Sequence, residues 1–355
     1  MTSMLKNNHT VYVICPRNCG LFSGNVDEAF GLIGVNFIPL KLDRNGVNPF
    51  YDLMILIQLI RILAHHRPDI VLNYTIKPMM YGSIAAGMMG VRTIASFVTG
   101  LGFVFRQDSR KARLLRFFVK KFLKLAIHFN SKVFFQNPDD KSEYLNHSLL
   151  SNERKAILTN GSGVNLKNFT FNIKSKKNTI EFLFVGRLLR DKGIKEFIAS
   201  ANEISSIFPN ARFTIVGAFD SNPEAISPKE MDRVTRNSIV KYAGTTDDVN
   251  SFIKKCDIFV LPSYHEGTPR AVLEAMSVGR AIITTDAPGC RETTIDGYNG
   301  YLVKPKDVKS LSFAMKQLLE NESIIPVMGR NSRKLAEKKY DVTNVVKLIM
   351  KELNL

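Results

Sequence analysis

The length and composition of this chain indicate a globular protein with two domains. It has 355 residues, of which 45% are hydrophobic and 23% are charged, and this length exceeds what a single core normally holds. No stretch is long and apolar enough for a transmembrane helix, and the polar start does not resemble a signal peptide. Four cysteines without zinc spacing indicate reduced thiols, so we expect a cytoplasmic protein.

The net charge of +17 is high and is concentrated in the first half of the chain. Residues 1–170 contain 21 Lys and Arg against 10 Asp and Glu. A protein this basic usually faces a polyanion, which can be a nucleic acid, an anionic bilayer or a phosphorylated substrate. Because no helix-turn-helix, zinc or aromatic RNA-binding pattern is present, we expect no nucleic-acid partner.

Short apolar segments alternate with longer segments of helical periodicity, which predicts an α/β protein with parallel sheets. The predicted strands of the first half lie at 11–15, 36–40, 69–74, 93–98 and 132–136, with helices near 50–66, 79–89, 110–127 and 138–147. Those of the second half lie at 180–185, 212–216, 239–243, 257–261, 281–285 and 300–303, with helices near 192–205, 247–254, 269–278, 307–319, 323–337 and 342–353. The polar run 172–178 is the predicted linker. We therefore expect domains at 1–170 and 179–337, and a final segment 338–355 that packs back on the first domain.

The most informative segment follows the predicted strand 257–261. Gly267 opens a turn, and Pro269 fits the first turn of the helix that comes next. A strand–turn–helix unit of this kind directs free backbone N–H groups and a positive dipole end at a ligand such as phosphate. Two carboxylates eight residues apart, Glu266 and Glu274, suit hydroxyl groups on either side of a diphosphate, as in a sugar nucleotide. The alternatives are a solvated loop carboxylate for Glu266 and an ordinary first-turn helix acid for Glu274.

A second candidate turn follows the predicted strand 180–185. Gly186 permits a ligand to approach the backbone closely, and Arg187 and Lys192 bracket the turn. Two cations at the end of a strand can neutralise a diphosphate, Arg through its planar fork and Lys as a point charge. Taken alone, this segment is an ordinary basic turn. In combination with the segment that contains Glu266 and Glu274, it favours diphosphate binding.

The segment 106–124 predicts a basic amphipathic helix, since eight of its residues are Lys or Arg and one is acidic. One helical stripe consists of Arg113, Arg116, Lys120 and Lys124, and the opposing apolar face consists of Leu114, Phe117, Phe118, Phe122 and Leu125. Such a helix suits an anionic membrane surface. The alternative is a helix of the domain that has a solvated cationic face. The positive excess of residues 1–170 favours the membrane.

The second-half motifs resemble those of the family-4 retaining glycosyltransferases with the GT-B fold. They are Gly186-Arg187-Leu188 with Lys192-Gly193, Glu266-Gly267 with Glu274-Ala275-Met276, and Gly289-Cys290-Arg291-Glu292 with Asn299-Gly300. Segments 68–71, 74–78, 99–102, 135–137 and 160–164 are similar to the bacterial branch that builds undecaprenyl-diphosphate-linked oligosaccharides for lipopolysaccharide O-antigen and capsule. The resemblance implies two Rossmann-like doubly wound domains with a cleft between them.

The resemblance also implies roles for the matching positions of the second domain, which would bind a nucleotide-sugar donor. Arg187 and Lys192 would hold the donor diphosphate and stabilise the leaving group without a metal, and Glu266 would contact the donor sugar near its reacting carbon. The donor is expected to be a UDP-sugar, with no other cofactor. The transfer would retain the anomeric configuration of a hexose or N-acetylhexosamine.

The remaining donor contacts implied by the resemblance come from the same two turns. Glu274 would bind the ribose hydroxyl groups, the backbone N–H groups of Gly267 and Thr268 would contact phosphate or sugar, and Gly186 would lie close to the donor. The loop at 289–292 would lie near the cleft, although a salt-bridged structural turn explains Arg291 equally well. Cys290 is expected to be a packing residue, because no base is suitably placed for it.

For the first domain, the resemblance implies an acceptor-facing and membrane-facing role. Lys77 follows the predicted strand 69–74 and is either an acceptor-phosphate contact or a plain exposed lysine. The cations of the basic helix, Arg113, Arg116, Lys120 and Lys124, would contact acceptor or membrane. The expected partners are therefore a polyprenyl-diphosphate-linked acceptor and an anionic membrane, with the protein peripheral at the inner face of the cell membrane.

The sequence departs from the family pattern in two places. The opening strand and glycine-rich loop of the first domain are missing before 11–15, so either the start site is late, or the sheet is reduced, or 11–15 has taken the first-strand role. In the last case the loop at 18–20 would face the donor. Some members also carry a histidine where this chain has Val98, which we interpret as a marker of the branch.

We expect an active transferase that transfers a sugar to a lipid-linked saccharide in surface polysaccharide biosynthesis. Two alternatives stay open at this point. The incomplete first domain is also compatible with a catalytically inactive relative that serves as a binding or assembly partner. A GT-B sugar-nucleotide epimerase shares the cleft, but it fits the spacing of Glu266 and Glu274 poorly.

Overall fold

The polypeptide forms two compact units, each built around parallel β-strands. The structure is a computed structural model, and it describes residues 1–17, 25–42, 48–100, 110–172, 178–220, 222, 224–236 and 238–355. The first unit comprises Met1–Phe134, Ser142–Ile157 and Val346–Leu355. The second unit comprises Phe135–Lys141 and Leu158–Val345.

The first unit contains two sheets and the helices that cover them. Its strands are β1 (Tyr12–Cys15), β2 (Asn36–Pro39), β3 (Ile70–Tyr74), β4 (Thr93–Val98), β5 (Lys132–Phe135) and β6 (Ala156–Leu158), of which β5 and β6 end in residues of the second unit. Its helices are α1 (Thr2–Lys6), α2 (Val26–Leu32), α3 (Pro49–His66), α4 (Ile76–Met88) and α5 (Arg110–Phe129). Helix α6 (Pro138–Asn146) begins in the second unit. Strands β1 and β2 form a parallel pair, and a separate four-stranded sheet has the order β3-β4-β5-β6.

The division into two sheets corrects one of the sequence-based expectations about the amino terminus. Strand β1 pairs with β2, while β3 pairs with β4 in the other sheet. Within the described residues β1 therefore does not take the place of a first strand beside β3, and that interpretation of 11–15 is wrong. Both faces of β1 pack against apolar clusters. Val13 contacts the cluster that contains Phe30, and Ile14 contacts the cluster that contains Ile55. The loop at 18–20 lies outside the described residues.

Helix α4 packs against both α3 and α5 and so connects the three helices. A buried hydrogen bond of 2.8 Å joins Asn130 Nδ2 to Ser83 Oγ, which places the end of α5 against the middle of α4. A Cβ on Gly87 would lie 2.3 Å from the Phe129 ring, so the two helices approach closely there. At the opposite end, Lys77 Nζ in the first turn of α4 lies 3.7 Å from Asp52 Oδ1 in the first turn of α3. The amino termini of α3 and α4 therefore lie side by side, next to the carboxyl end of β3.

The second unit is one parallel sheet covered by helices. Its strands are β7 (Ile180–Val185), β8 (Ala211–Val216), β9 (Val240–Tyr242), β10 (Ile258–Leu261), β11 (Ala281–Thr285) and β12 (Gly300–Val303). Its helices are α7 (Ile194–Ser205), α8 (Pro228–Thr235), α9 (Val249–Lys255), α10 (Arg270–Val278), α11 (Val308–Glu320), α12 (Ile325–Lys339) and the start of α13 (Val342–Leu353). The strand order is β12-β11-β10-β7-β8-β9, with parallel pairing throughout.

This strand order creates a switch point between β7 and β10. The chain runs outward from β7 to β8 and β9, and then returns to add β10 on the other side of β7. Ligands of open α/β sheets bind at the carboxyl ends of the strands that flank such a point. The segments that follow β7 and β10 are 186–193 and 262–269, which are the two turns that sequence analysis singled out. The β10 strand between them is fully buried, as its unbroken apolar sequence predicts.

Most predicted strands and helices are present within one or two residues of their expected limits, and the exceptions are short. Helix α2 has seven residues, β6 has three and α8 has eight, and none of these was predicted. Segments this short contain too few apolar repeats for periodicity to identify them. Lys77 also differs from expectation, because it is the second residue of α4 and not part of a loop after β3.

The last helix, α13, continues into the first unit and packs on its sheet. Leu353 is buried in a cluster with Ala95, Phe97 and Phe134, and Lys132 Nζ lies 2.6 Å from Glu352 Oε2 beside it. Removal of the Leu353 side chain would leave a cavity between α13 and the strands β4 and β5.

We therefore expect Leu353→Ala to lower the free energy of unfolding by about 2–5 kcal/mol, as large-to-small core substitutions do. Urea unfolding followed by circular dichroism measures the change. The control is Leu32→Ala, which alters the same side chain where it is 89% exposed and should cost less than about 0.5 kcal/mol. Equal losses in the two variants would contradict the packing of α13.

Candidate active site

Two backbone turns meet at the carboxyl ends of β7 and β10. Gly193 has a φ of +74°, and a Cβ at this position would lie 2.2 Å from the Pro262 carbonyl oxygen. Glycine is therefore required at the point where the turns touch. The Tyr264 N–H donates to the Asp191 carbonyl oxygen over 2.8 Å. This contact fixes the turn after β7 against the turn after β10.

The contact between the turns brings together two predicted site residues, Lys192 and Glu266. Lys192 Nζ donates to Glu266 Oε1 over 2.5 Å, and the two side chains are only 14% and 16% exposed. Glu266 is thus not the solvated loop carboxylate of the alternative interpretation. An ion pair this sheltered from water is short and strongly oriented.

The turn that follows β11 restrains the backbone of Glu266. The Glu266 N–H donates to the Pro288 carbonyl oxygen over 2.9 Å. Gly289 has a φ of +80°, and a Cβ there would lie 2.1 Å from the Glu266 carbonyl oxygen. Sequence analysis noted this glycine only as part of a motif. The Pro-Gly dipeptide signals a turn, but the partner of that turn is visible only in the fold.

Glu274 lies in the second turn of α10, as its fifth residue, so the interpretation as a first-turn acid is wrong. The residue before the helix, Pro269, is its N-cap and not a residue of its first turn. Burial raises the pKa of Glu274, and the exposed Arg270, 3.0 Å away, opposes this rise. A buried carboxylate with a single exposed partner retains unused acceptor capacity for hydroxyl groups.

In the described part of the chain, no hydrogen bond or ion pair joins Arg187 to Lys192 or Glu266. The Arg187 side chain is 59% exposed, and Nη1 donates to Asp220 Oδ2 over 2.8 Å, a partner that sequence analysis did not identify. A Cβ on Gly186 would make ordinary van der Waals contacts with the Phe184 and Leu261 side chains, so packing does not require glycine there. The tightly packed glycine is its neighbour across the sheet, Gly217, whose Cβ would lie 1.9 Å from the Gly186 carbonyl oxygen.

The other two donor-binding candidates form the end of the β10 turn. Thr268 is buried, and its hydroxyl group lies 3.0 Å from the Gln136 carbonyl oxygen. The Gly267 carbonyl oxygen accepts a hydrogen bond of 2.7 Å from Asn137 Nδ2. Sequence analysis noted Asn137 only within the segment 135–137 and assigned it no role, since an asparagine after a strand is usually no more than a helix cap.

The loop at 289–292 has the features of a structural turn. Arg291 lies 2.7 Å from Asp286 and 3.2 Å from Asp139, which supports the salt-bridged interpretation. Burial raises the pKa of the Cys290 thiol to about 12. A thiol with this pKa is not a nucleophile at neutral pH, in agreement with a packing role for Cys290.

In the first unit, the predicted acceptor residues lie on two neighbouring helices. Lys77 pairs with Asp52 and is not a plain exposed lysine. On α5, the cations Arg113 and Lys124 are exposed, and Arg116 and Lys120 are partly exposed. Among the described helices none combines the length and apolar character needed to cross a bilayer. Within the described ranges, no three His, Cys, Asp or Glu side chains lie together as a possible metal site.

Comparisons with known proteins agree with this architecture. Residues 167–337 match the family model of "Glycosyl transferases group 1", and residues 1–137 match that of "Glycosyl transferase 4-like". Among solved structures, sucrose-phosphate synthase from Thermosynechococcus elongatus superposes with a TM-score of 0.79 at 18% identity, covering 99% of this chain and 90% of that chain. HepE from Anabaena, in complex with UDP, gives a TM-score of 0.75 at 14% identity, covering 98% and 100%. These likenesses establish the fold.

Two relatives are similar over most of their length. The N,N'-diacetylbacillosaminyl-diphospho-undecaprenol alpha-1,3-N-acetylgalactosaminyltransferase of Campylobacter jejuni is 30% identical over 334 residues, covering 91% of this chain and 85% of the relative. The UDP-Gal:alpha-D-GlcNAc-diphosphoundecaprenol alpha-1,3-galactosyltransferase of Escherichia coli is 27% identical over 354 residues, covering 96% and 87%. The chain is therefore a glycosyltransferase with the GT-B fold, and it belongs to the family-4-like group, in the branch that includes transferases for undecaprenyl-diphosphate-linked sugars.

Proposed function

We propose that this enzyme transfers a hexose or N-acetylhexosamine from a UDP-sugar to an undecaprenyl-diphosphate-linked saccharide during surface polysaccharide synthesis. The observation that carries the proposal is the sheltered pair of Lys192 and Glu266 at the switch point of the second sheet. The names of the Campylobacter jejuni and Escherichia coli relatives support the lipid-linked acceptor. The UDP complex of HepE, which has the same fold, supports UDP as the nucleotide.

In this proposal, Lys192 and Arg187 compensate the charge of the departing diphosphate. Bond cleavage between the anomeric carbon and the diphosphate oxygen places negative charge on UDP, and fixed cations in a sheltered site stabilise that charge strongly. Lys192 is already held at the switch point by Glu266. Arg187 is exposed and can exchange Asp220 for phosphate. Two cations supply the charge relief that a metal ion provides in other transferases, so we expect activity to persist in EDTA.

The two glutamates bind the ends of the donor. Glu274 accepts hydrogen bonds from the ribose hydroxyl groups, and its burial makes each such bond stronger than in water. Glu266 contacts the sugar near the reacting carbon, beside the ammonium group of Lys192. The acceptor hydroxyl oxygen forms the new bond on the face from which UDP leaves, and its proton passes to the departing diphosphate oxygen. The product then has the α-configuration, as in the names of both relatives.

The exposed aromatic residues of α5 support a peripheral position on an anionic membrane. Phe117, Phe118 and Phe122 are about half exposed, whereas the core-facing side of the helix consists of Leu123, Ala126 and Ile127. This exposure favours a membrane contact over the alternative of a domain helix with a solvated cationic face. Large apolar side chains among cations are the pattern of interfacial helices.

Helix α3 adds a second apolar surface near the amino terminus of α4. Its first turns expose an apolar stripe at helical spacing, which consists of Phe50, Leu53, Met54 and Ile57. Phe50 is 82% exposed. Insertion of this stripe and of the α5 phenylalanines into the headgroup region would hold the first unit at the membrane, where a polyprenyl acceptor resides. The cytoplasmic face is the side on which UDP-sugars are available.

A direct test incubates the protein with a panel of UDP-sugars and a short-chain prenyl-diphosphate saccharide. We expect one donor to give an α-linked product, identified by mass spectrometry and by the anomeric coupling in NMR, with equal rates in EDTA. A β-linked product would contradict the retaining mechanism. The absence of any product, with UDP still bound, would favour an inactive binding partner. Release of free UDP without a glycosylated product would favour an epimerase.

We expect Lys192→Ala and Glu266→Ala to lower turnover by about 10²–10³-fold, the usual cost of removing a preorganised electrostatic contact at the reacting centre. The matched control is Lys195→Ala, which removes a half-exposed lysine of the same region that pairs with Glu230. It should change the rate by less than about twofold, since exposed ion pairs contribute little. Unchanged turnover in the first two variants would refute the assigned roles.

Glu274→Gln should change the stability of the protein and its affinity for UDP in opposite directions. Because burial raises the pKa of Glu274, the folded protein binds this proton more tightly than the unfolded chain. The stabilisation from the protonated form is present at low pH and is lost as pH rises through the raised pKa. At pH 7.5 the ionised carboxylate therefore lowers stability, and glutamine removes this cost.

We thus expect Glu274→Gln to raise Tm at pH 7.5, with a gain that shrinks toward pH 4, and to weaken UDP binding in calorimetry. Glu320→Gln serves as the control, since that carboxylate is more than half exposed at the end of α11. It should leave both Tm and UDP affinity unchanged. A Glu274 variant that is less stable at pH 7.5 would contradict the cost of the buried charge.

Membrane binding is testable by flotation with vesicles of phosphatidylcholine and phosphatidylglycerol. We expect Phe117→Ser with Phe118→Ser and Phe122→Ser to reduce the bound fraction by at least about tenfold, since each buried phenylalanine contributes on the order of 1 kcal/mol or more. The control Leu32→Ser removes an exposed apolar side chain elsewhere in the first unit. Binding should also decrease with salt. Full binding by the triple variant would exclude α5 from the membrane contact.

A further inference from the structure

We propose that Asn137 and Asp140 are positioning residues, which hold the turn containing Glu266 so that its carboxylate stays beside Lys192. Both lie in the segment Phe135–Lys141, which belongs to the second unit. The proposal rests on the role of Glu266 in the proposed function. It concerns residues that contact no substrate and act only through this turn.

Asn137 is the centre of the arrangement. It is fully buried, and its Nδ2 lies 2.7 Å from the Gly267 carbonyl oxygen and 3.2 Å from the Glu266 carbonyl oxygen. One amide group therefore fixes the peptide planes on both sides of Gly267. Glycine gives a turn more backbone freedom than any other residue, so this is the position at which such a restraint has the greatest effect on Glu266.

Asp140 determines the direction in which the amide of Asn137 points. Its backbone N–H donates to Asn137 Oδ1 over 2.7 Å, and its carboxylate Oδ2 accepts from Asn137 Nδ2 over 2.9 Å. With the amide reversed, its oxygen would face the Asp140 carboxylate and both carbonyl oxygens of the turn. The observed orientation is therefore the one in which donors meet acceptors.

Two further contacts extend the same restraint to either side of Glu266. His265 Nε2 lies 3.1 Å from Asp140 Oδ1, and the histidine side chain is only 10% exposed. On the other side, the Thr268 hydroxyl group lies 3.0 Å from the Gln136 carbonyl oxygen. Each residue from His265 to Thr268 is thus in contact with the segment Gln136–Asp140.

The contacts from Asn137 restrain the backbone of Glu266, whereas the ion pair with Lys192 restrains its side chain. Lys192 holds the Glu266 carboxylate, and Pro288 accepts its backbone N–H. If Asn137 were absent, the Glu266 carbonyl oxygen would lose its amide donor, and the Gly267 carbonyl oxygen would depend on the Thr268 hydroxyl group at 2.8 Å. Loss of a donor from a part-buried carbonyl oxygen costs part of its desolvation free energy. The turn could then relax and move the Glu266 carboxylate. A misplacement of about 1 Å at a reacting centre can lower the rate on the order of 10²-fold.

A purely structural role makes a different prediction from a positioning role. In the proposed function, UDP is held mainly by Glu274, Arg187 and Lys192, whereas Glu266 contacts the transferred sugar. Relaxation of the Glu266 turn should therefore lower the rate of transfer and leave the affinity for UDP alone almost unchanged. General destabilisation of the second unit would weaken both.

The experiment compares Asn137→Ala with the control Asn130→Ala in the full-length protein. Asn130 is also fully buried and also donates to a backbone carbonyl oxygen, that of Ala126 at 2.7 Å, but it lies in the first unit. We measure kcat with the UDP-sugar, the Kd of UDP by calorimetry and the urea midpoint. We expect kcat of Asn137→Ala to fall at least about tenfold relative to Asn130→Ala, with the Kd of UDP within about twofold of wild type.

A double substitution provides the second readout. If Asn137 acts through Glu266, Asn137→Ala should have no further effect on kcat in a Glu266→Ala background, since residues that act as a unit are not additive. An equal loss in both backgrounds, or a parallel loss of UDP affinity, would overturn the proposal. Wild-type turnover by Glu266→Ala alone would instead refute the proposed function of Glu266. If Asn137→Ala does not fold, Asp140→Asn keeps the shape of the network and provides the same comparison.

Discussion

In the proposed function, the ion pair between Lys192 and Glu266 is the interaction on which the active site depends. It joins the turn after β7 to the turn after β10, and these two strands are neighbours only because the chain reverses its direction of winding between them. The strand order therefore brings the two turns together, and the ion pair orients the ammonium group that we propose binds the diphosphate. A cation held by a carboxylate is ready to receive a diphosphate without rearrangement of the surrounding protein, which is the basis of electrostatic preorganisation.

The environment of this pair explains why so many small residues lie nearby. Gly193, Gly217 and Gly289 each approach a backbone carbonyl oxygen more closely than any residue with a Cβ permits. They allow the turns after β7, β8, β10 and β11 to pack closely against one another. The buried amide of Asn137 donates to the Glu266 and Gly267 carbonyl oxygens in one of these turns. Close backbone packing and buried hydrogen bonds thus restrain the same turns.

The two units differ in how they arrange the charged groups used in the proposed function. In the second unit, Lys192 and Glu266 follow the carboxyl ends of parallel strands, where both side chains are largely buried. The first unit distributes its excess of cations along α5, where they lie next to exposed phenylalanines. Exposed charge of this kind is screened by salt and provides general attraction to an anionic surface. In the proposed function, a lipid-linked acceptor requires both attraction of the protein to the membrane and precise positioning of the donor.

Much of this fold could be predicted from the sequence, because the strands of the second unit are continuous apolar runs and its turns contain specific motifs. Glu266 and Lys192 were identified for that reason. The contacts of Asp220 and Asn137 were not identified, since their partners lie 33 and 130 residues away in sequence, and periodicity carries no information about such pairs. The exposure of Phe117 was also unpredictable, because an amphipathic pattern does not reveal which face meets the core. The pairing of β1 with β2, and not with β3, depends on the topology of the whole first unit.

The most direct test of this account is a crystal structure of the enzyme with UDP. The account predicts that the diphosphate lies within hydrogen-bond distance of Lys192 Nζ, with the ribose hydroxyl groups on Glu274. Nucleotide bound away from the switch point between β7 and β10, or a Glu274 carboxylate without contact to the ribose, would contradict it.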